Sequence, residues 1–234
     1  MVSVKRPNLW YDESGAAYLE FTAAAFTFFI ILFGVLEFAQ VFYQWNAATK
    51  ATQFGSRLAA VSSPVASNLA SLTGTEAGAL PGAAMPGYDC TCKFSSGAFS
   101  CTGSVPSNAT ACTFDATAMN VLAYGRKVAN NGTVTVNTSC QTMPPAFQNA
   151  GMCNFFSGLT ANNIVVRYQN TGLGYAGRPP GVNQTGAPVP TISVSLTGLT
   201  YKFILIGGLA GLNSMPLPGF ATTVTGEDLN ASGS

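Results

Sequence analysis

The sequence contains no histidine, and only 8% of its 234 residues are charged. Without histidine, Ser-His-Asp and Cys-His nucleophilic sites and His-ligated zinc are excluded, as is the usual proton shuttle near neutral pH. Ten basic and nine acidic residues give a formal net charge of +1, so there is no broad basic surface for a nucleic-acid backbone. We therefore expect a protein that is not an enzyme, needs no cofactor or metal and binds no nucleic acid.

Hydrophobic residues are abundant, at 47%, and a long apolar run lies near the N-terminus. Residues 21–36 carry no charge, and Glu37 is the only charged residue within 21–49. About 20 apolar residues cross the hydrocarbon layer of a bilayer, so a helix from residue 17 to about residue 43 is predicted to span a membrane once. A second apolar run, 203–212, is too short to span and is predicted at a domain edge or a subunit contact.

The segment before the apolar run does not have the order of a secretory signal peptide, because Gly15 precedes the run instead of following it. Glu20 lies at the start of the run, where an ionisable group is costly unless it reaches water or finds a positive partner. Cleavage after Gly15 would make Ala16 the amino terminus and place Glu20 about one helical turn from the new positive charge. The positive charge of the new amino terminus would then offset the free-energy cost of placing Glu20 at the start of the apolar run.

The stretch Gly-Ala-Ala-Tyr-Leu-Glu-Phe from Gly15 resembles the type IV pilin superfamily. There, a prepilin peptidase cuts after a glycine and leaves a glutamate at the fifth mature position. Residues 15–61 are similar, more closely, to the TadE/TadG-like pseudopilins of the tight-adherence (Flp, type IVc) pilus system. The shared features are a second Glu-Phe pair at Glu37, an Ala-rich end at 55–61, and, weakly, paired strands near the C-terminus.

This resemblance implies a minor pilin or pseudopilin that acts in pilus assembly or priming and in surface adhesion. The implied partners are a prepilin peptidase, other pilins and pseudopilins, the Tad assembly machinery and the lipid bilayer. The implied location is the bacterial inner membrane, with the C-terminal domain exported to the periplasm and incorporation into a surface pilus left open. The implied site residues are Gly15 and Ala16 for processing and Glu20, Phe21 and Glu37 for assembly.

Two alternatives stay open at this point. Glu37 follows Glu20 by 17 residues, or about 25 Å of helix, and could simply mark the far interface. The whole chain could also be a single-pass, membrane-anchored exported binding module with an uncut helix. A pseudopilin and an anchored binding module differ in whether the mature chain starts at Ala16 or at Met1.

Helical spacing of apolar or small residues continues to Pro64, which predicts a stalk beyond the membrane. We expect a prepilin-type leader at 1–15, a transmembrane and stalk helix at 16–63, and an exported domain at 64–234. The predicted fold class is α+β: a pilin-like helix packed on a small antiparallel sheet. Predicted strands are 133–137, 163–168, 191–203 and 220–225, and a helix is predicted at 115–130, with Asp115 as N-cap, Arg126 and Lys127 in its last turn and Asn131-Gly132 as its stop.

All six cysteines lie beyond residue 89, among Ser, Thr, Asn, Gly and Pro, which is typical of an exported, disulfide-containing domain. A hairpin turn at 95–97 would place Cys92 opposite Cys101. Cys90 is too near Cys92 to bridge to it without strain, and the Cys-x-Cys spacing differs from that of zinc sites. Of fifteen possible pairings we favour Cys92 with Cys101, Cys90 with Cys112, and Cys140 with Cys153.

Overall fold

The computed structural model describes residues 13–106, 111–129, 132–141, 150–177, 188–204, 207 and 214–226. In chain order it contains α1 (Glu13–Val61), β1 (Asp89–Ser95), β2 (Ala98–Ser104), α2 (Ala116–Tyr124), β3 (Arg126–Val128), β4 (Val134–Val136), β5 (Ile164–Gln169), β6 (Thr191–Leu196), β7 (Thr200–Lys202), β8 (Ser214–Pro216) and β9 (Phe220–Thr225). Most of the predicted leader, Asn131 and most of the apolar run 203–212 lie outside the described residues.

The chain divides into two compact units. The first consists of Met1–Tyr43 with Thr200–Met215, and the second of Gln44–Leu199 with Pro216–Ser234. Helix α1 contributes its N-terminal part to the first unit and its C-terminal part to the second. The predicted boundaries of leader, stalk and exported domain stay predictions.

The second unit is built on a five-stranded sheet with the strand order β2-β1-β5-β6-β9, in which every neighbouring pair is antiparallel. Side chains alternate between buried and more exposed along β5 and β6, as expected for a sheet covered on one face. The buried positions of β5 are Ile164, Val166 and Tyr168, and those of β6 are Ile192, Val194 and Leu196. The Tyr168 hydroxyl accepts a hydrogen bond from the Val65 amide at 3.0 Å, so this fully buried polar group has a partner.

The C-terminal part of α1 packs on this sheet through small side chains. They recur at helical spacing along one face and are buried: Ala48, Ala51, Thr52, Gly55, Ser56 and Ala59. Trp45 meets Phe220 of β9 edge to face, and the Thr52 and Thr222 hydroxyls lie 3.1 Å apart. A Cβ on Gly55 would come within 2.8 Å of the Met152 Cγ, so only glycine allows this approach. The predicted α+β arrangement of a long N-terminal helix on an antiparallel sheet is confirmed.

Three disulfides join Cys90 to Cys112, Cys92 to Cys101 and Cys140 to Cys153, which are the pairs favoured from the sequence. The hairpin of β1 and β2 turns at Ser96 and Gly97, both with positive φ, as a type I′ hairpin turn requires. Its register places Cys92 directly opposite Cys101. The Cys90–Cys112 bridge links β1 to the segment that leads into α2.

The predicted end of α2 was wrong. Asp115 does cap the helix, because its carboxylate accepts hydrogen bonds from the amides of Thr117 and Ala118. The helix stops at Gly125, whose positive φ of 76° is unfavourable for any other residue, and not at Asn131-Gly132. Arg126 and Lys127 therefore lie in β3, paired with β4, and not in a last helical turn.

The predicted strand 191–203 is two strands, β6 and β7. Gly198, with a φ of 70°, lies in the bend between them, and the Thr197 amide donates to the Asn163 carbonyl instead of continuing the ladder. The two strands then pair in different sheets, β6 with β9 and β7 with β8. β9 has the predicted bounds, and its antiparallel pairing with β6 gives the expected paired strands near the C-terminus.

Candidate functional site on the N-terminal helix

The residues predicted to be processed lie at the start of α1. Gly15 and Ala16 are exposed, and a Cβ on Gly15 would meet nothing within 4 Å. Glu20 and Phe21 follow within the next two turns and are exposed as well, Phe21 to 73%. Both residues that flank the predicted cleavage bond are therefore exposed, and cleavage there stays a prediction.

Between Glu20 and Glu37 the surface of α1 is almost entirely apolar. Among the described residues, α1 is the one helix long and apolar enough to cross a membrane, and none of its most apolar stretch is buried. Thr22 and Thr27 donate their hydroxyls to the carbonyls of Tyr18 and Ala23, so these side chains hide their polar groups. Moving a large apolar side chain from water into an apolar environment is worth about 1.5–3 kcal/mol. The stable environment for this surface is therefore a bilayer or the apolar helices of other subunits.

Glu37 differs from its neighbours on this helix, because it is buried, with 3% of its surface exposed, whereas Leu36 and Phe38 are 50% and 63% exposed. Its carboxylate Oε1 accepts a hydrogen bond from the Tyr201 hydroxyl at 2.7 Å and one from the Ile204 amide at 2.8 Å. All of these residues belong to the first unit. Glu37 therefore fastens the segment around β7 to α1.

The segment that forms hydrogen bonds with Glu37 contains the strand β7. Tyr201 is buried, with 1% of its surface exposed, whereas its strand neighbours Thr200 and Lys202 are exposed, as the alternation of a strand requires. The Tyr201 ring packs edge to face with Phe203, with the ring centroids 5.2 Å apart. Burial, together with the hydrogen bond to Glu37, raises the pKa of the Tyr201 hydroxyl to about 12, so Tyr201 stays a hydrogen-bond donor at physiological pH.

Replacement of Glu37 by alanine is expected to release this segment from α1. The Tyr201 hydroxyl and the Ile204 amide would both lose their acceptor, and a buried donor left unpaired costs about 1–3 kcal/mol. We expect faster amide hydrogen exchange in residues 200–204, by roughly 10-fold or more for a loss above 1.4 kcal/mol. Glu37→Gln is the matched control, because its amide oxygen can still accept both bonds. Equal exchange in the wild type and Glu37→Ala would show that Glu37 does not hold this segment.

The structure does not bring Glu20 and Glu37 together. Within the described residues Glu20 is exposed and forms no ion pair, whereas Glu37 is buried and hydrogen-bonded. If Glu37 only marked an interface, its hydrogen bonds to Tyr201 and Ile204 would have no explanation. No sequence signal identifies Tyr201 and Ile204 as those partners, since they lie 164 and 167 residues away along the chain. The assembly roles of Glu20, Phe21 and Glu37 stay predictions.

One ion pair lies on the exposed face of the main sheet. Arg167 of β5 donates two hydrogen bonds to Asp89 of β1, at 3.0 and 2.6 Å, and Gln169 donates a longer one. The hydrogen bond from Arg167 holds the pKa of the Asp89 carboxyl below its usual range. Both side chains are about half exposed, so the pair aligns two strands and adds little stability.

Potential ligands for a metal are scattered in the part of the chain that the structure describes. Its six cysteines are all in disulfides, and no three Cys, Asp or Glu side chains lie close enough together to hold a metal ion.

These features define an α+β protein with a single, long, apolar N-terminal helix as its distinguishing element. Residues 15–57 match the model of a family described as TadE-like protein. The match covers about a fifth of the chain and includes Gly15, Glu20 and Glu37. It confirms, for this segment, the resemblance seen in the sequence. No curated protein and no solved structure matches the chain.

Proposed function

We propose that the chain is a membrane-anchored minor pilin or pseudopilin of a tight-adherence pilus system, and that it acts in pilus assembly or priming and in surface adhesion. The observation that carries this proposal is the TadE-like match over residues 15–57, which begins at the predicted cleavage site. The proposed role is structural and not enzymatic, in keeping with a sequence that has no histidine.

The structure of α1 supports the proposal in two ways. Its N-terminal part exposes apolar side chains that suit lipid or neighbouring pilin helices, and its C-terminal part carries a sheet-based unit. Such a helix can leave the bilayer and enter a filament without unfolding that unit. The proposed partners are a prepilin peptidase, other pilins and pseudopilins and the Tad assembly machinery.

We further propose that α1 crosses the bacterial inner membrane once, with the C-terminal part in the periplasm. The basic residues give no preference, because Lys5 and Arg6 precede the apolar run and Lys50 and Arg57 follow it. The disulfides support this orientation, since such bonds persist in the periplasm and are rare in a reducing cytosol.

The N-terminal sequence of the protein, purified from native membranes and from a sheared surface fraction, tests the proposal. We expect a start at Ala16 in both fractions if the chain becomes part of the filament. A start at Ala16 confined to the membrane would instead place the protein in assembly or priming. A Gly15→Leu variant is the control, since it should stay uncut.

An intact Met1 start in cells with an active prepilin peptidase would contradict the proposal. It would favour the anchored binding module, in which α1 is a permanent membrane anchor. The Gly15→Leu chain should then behave like the wild type in both fractions.

A further inference from the structure

The segment that is hydrogen-bonded to Glu37 exposes the apolar side chain of Ile204. Ile204 is 77% exposed, although its own amide is bonded to Glu37 of α1. Its exposure is therefore not that of a loose loop tip, because the backbone at Ile204 is fixed to the helix. Single exposed apolar residues are common, so what distinguishes Ile204 is its attachment to the apolar helix α1.

The surface of α1 next to Glu37 is apolar as well. On α1, the side chains that flank Glu37 in sequence are also exposed: Leu36 to 50% and Phe38 to 63%. Ile204 thus extends an apolar surface that the helix already presents. It is also the second residue of the uncharged run 203–212, so the chain continues without charge beyond it.

The position along α1 gives the depth of this surface. Glu20 and Glu37 bound the uncharged stretch of α1 and are separated by about 25 Å of helix, nearly the thickness of the hydrocarbon layer, which places Glu37 near its far boundary. Ile204, bonded to Glu37, then lies at the far boundary between acyl chains and head groups. Lys202 is exposed two residues earlier and suits that boundary, where a lysine can reach lipid phosphates.

We propose that the segment 202–204 is a second membrane-contacting element, in which Ile204 enters the outer acyl region, Lys202 faces the head groups and Glu37 sets their depth. The occupant of this surface is the lipid bilayer itself. Continuity with the exposed apolar surface of α1 favours lipid over a separate protein partner. The inference rests on the proposed membrane span of α1.

Depth-dependent fluorescence quenching tests the proposal in the full chain, reconstituted into phosphatidylcholine and phosphatidylglycerol vesicles. The Ile204→Cys variant offers one thiol beside six disulfide-bonded cysteines and is labelled with an environment-sensitive dye. We expect a shift of its emission to shorter wavelength and stronger quenching by lipids spin-labelled near the head group than by lipids labelled deep in the acyl chain. Adding Glu37→Ala should reduce both effects.

Two further labelled variants separate the possible failures. Leu32→Cys lies in the apolar part of α1 and should be quenched by the deep spin label. Leu80→Cys has the same exposed fraction as Ile204, 77%, but lies in the second unit, and should stay unquenched.

Deep quenching at position 32 without quenching at position 204 would overturn the inference and leave the membrane span intact. Absence of quenching at both positions would overturn the span as well. Equal quenching at positions 80 and 204 would show general adsorption of exposed apolar residues and would also overturn the inference. A shift of the emission to shorter wavelength at position 204 without quenching by either spin-labelled lipid would place the residue against protein and would overturn the inference.

Discussion

Replacement of Glu20 by alanine is expected to abolish incorporation of the protein into pili while leaving the chain in the membrane. Glu20 is exposed on an apolar helix and forms no ion pair among the described residues, so its carboxylate is a net cost to insertion. Its removal should therefore not weaken insertion. If cleavage makes Ala16 a positively charged terminus, the same change removes the charge that would guide that terminus into the assembly.

The measurement compares the amount of the protein in sheared pili with that in membranes, together with surface adhesion, for the wild type and the variant. Thr22→Ala is the matched control, because it also replaces an exposed polar side chain in the same stretch, but one that satisfies its hydroxyl on the Tyr18 carbonyl. Normal assembly and adhesion by Glu20→Ala would show that Glu20 has no role in assembly. Loss of both variants from the membrane would point instead to a defect in insertion.

Much of the fold can be predicted from the sequence where the signal is local. The apolar run of α1, the hairpin turn at Ser96-Gly97 and the bounds of β9 all follow from residues close together in the chain. The wrong boundaries occur where a single residue interrupts a longer periodic pattern. Gly125 ends α2 and Gly198 separates β6 from β7, because a positive φ at a single glycine interrupts an otherwise continuous pattern.

The site was only partly predictable, and for a different reason. Gly15, Ala16 and Glu20 are recognised from their order along the chain, as the TadE-like match over residues 15–57 bears out for the segment as a whole. The partners of Glu37 depend on a contact between residues more than 160 positions apart. The pattern of the segment predicts a strand at Tyr201 and gives no sign that its hydroxyl meets a carboxylate of α1.

Removal of the Cys90–Cys112 disulfide is expected to have the largest effect on the stability of the second unit. In the chain-entropy treatment, a bridge across 22 residues contributes about 3 kcal/mol. For a unit of this size the loss should lower the unfolding temperature by roughly 10 °C. Thermal unfolding of the full chain in detergent micelles, followed by circular dichroism, would measure the effect in a Cys90→Ala, Cys112→Ala variant.

The Cys92–Cys101 disulfide, which joins β1 to β2, provides the control for this measurement. Cys92 and Cys101 are only nine residues apart and face each other in a ladder that the two-residue turn already aligns. A Cys92→Ala, Cys101→Ala variant should therefore lose less stability than the first, because less chain freedom is restored. The Cys90–Cys112 bridge instead connects the sheet to the start of α2, where the Asp115 amide donates to the Val65 carbonyl just beyond α1. If both double variants unfold at the same temperature as the wild type, the buried sheet and the small-residue face of α1 suffice, and neither bridge stabilises the fold.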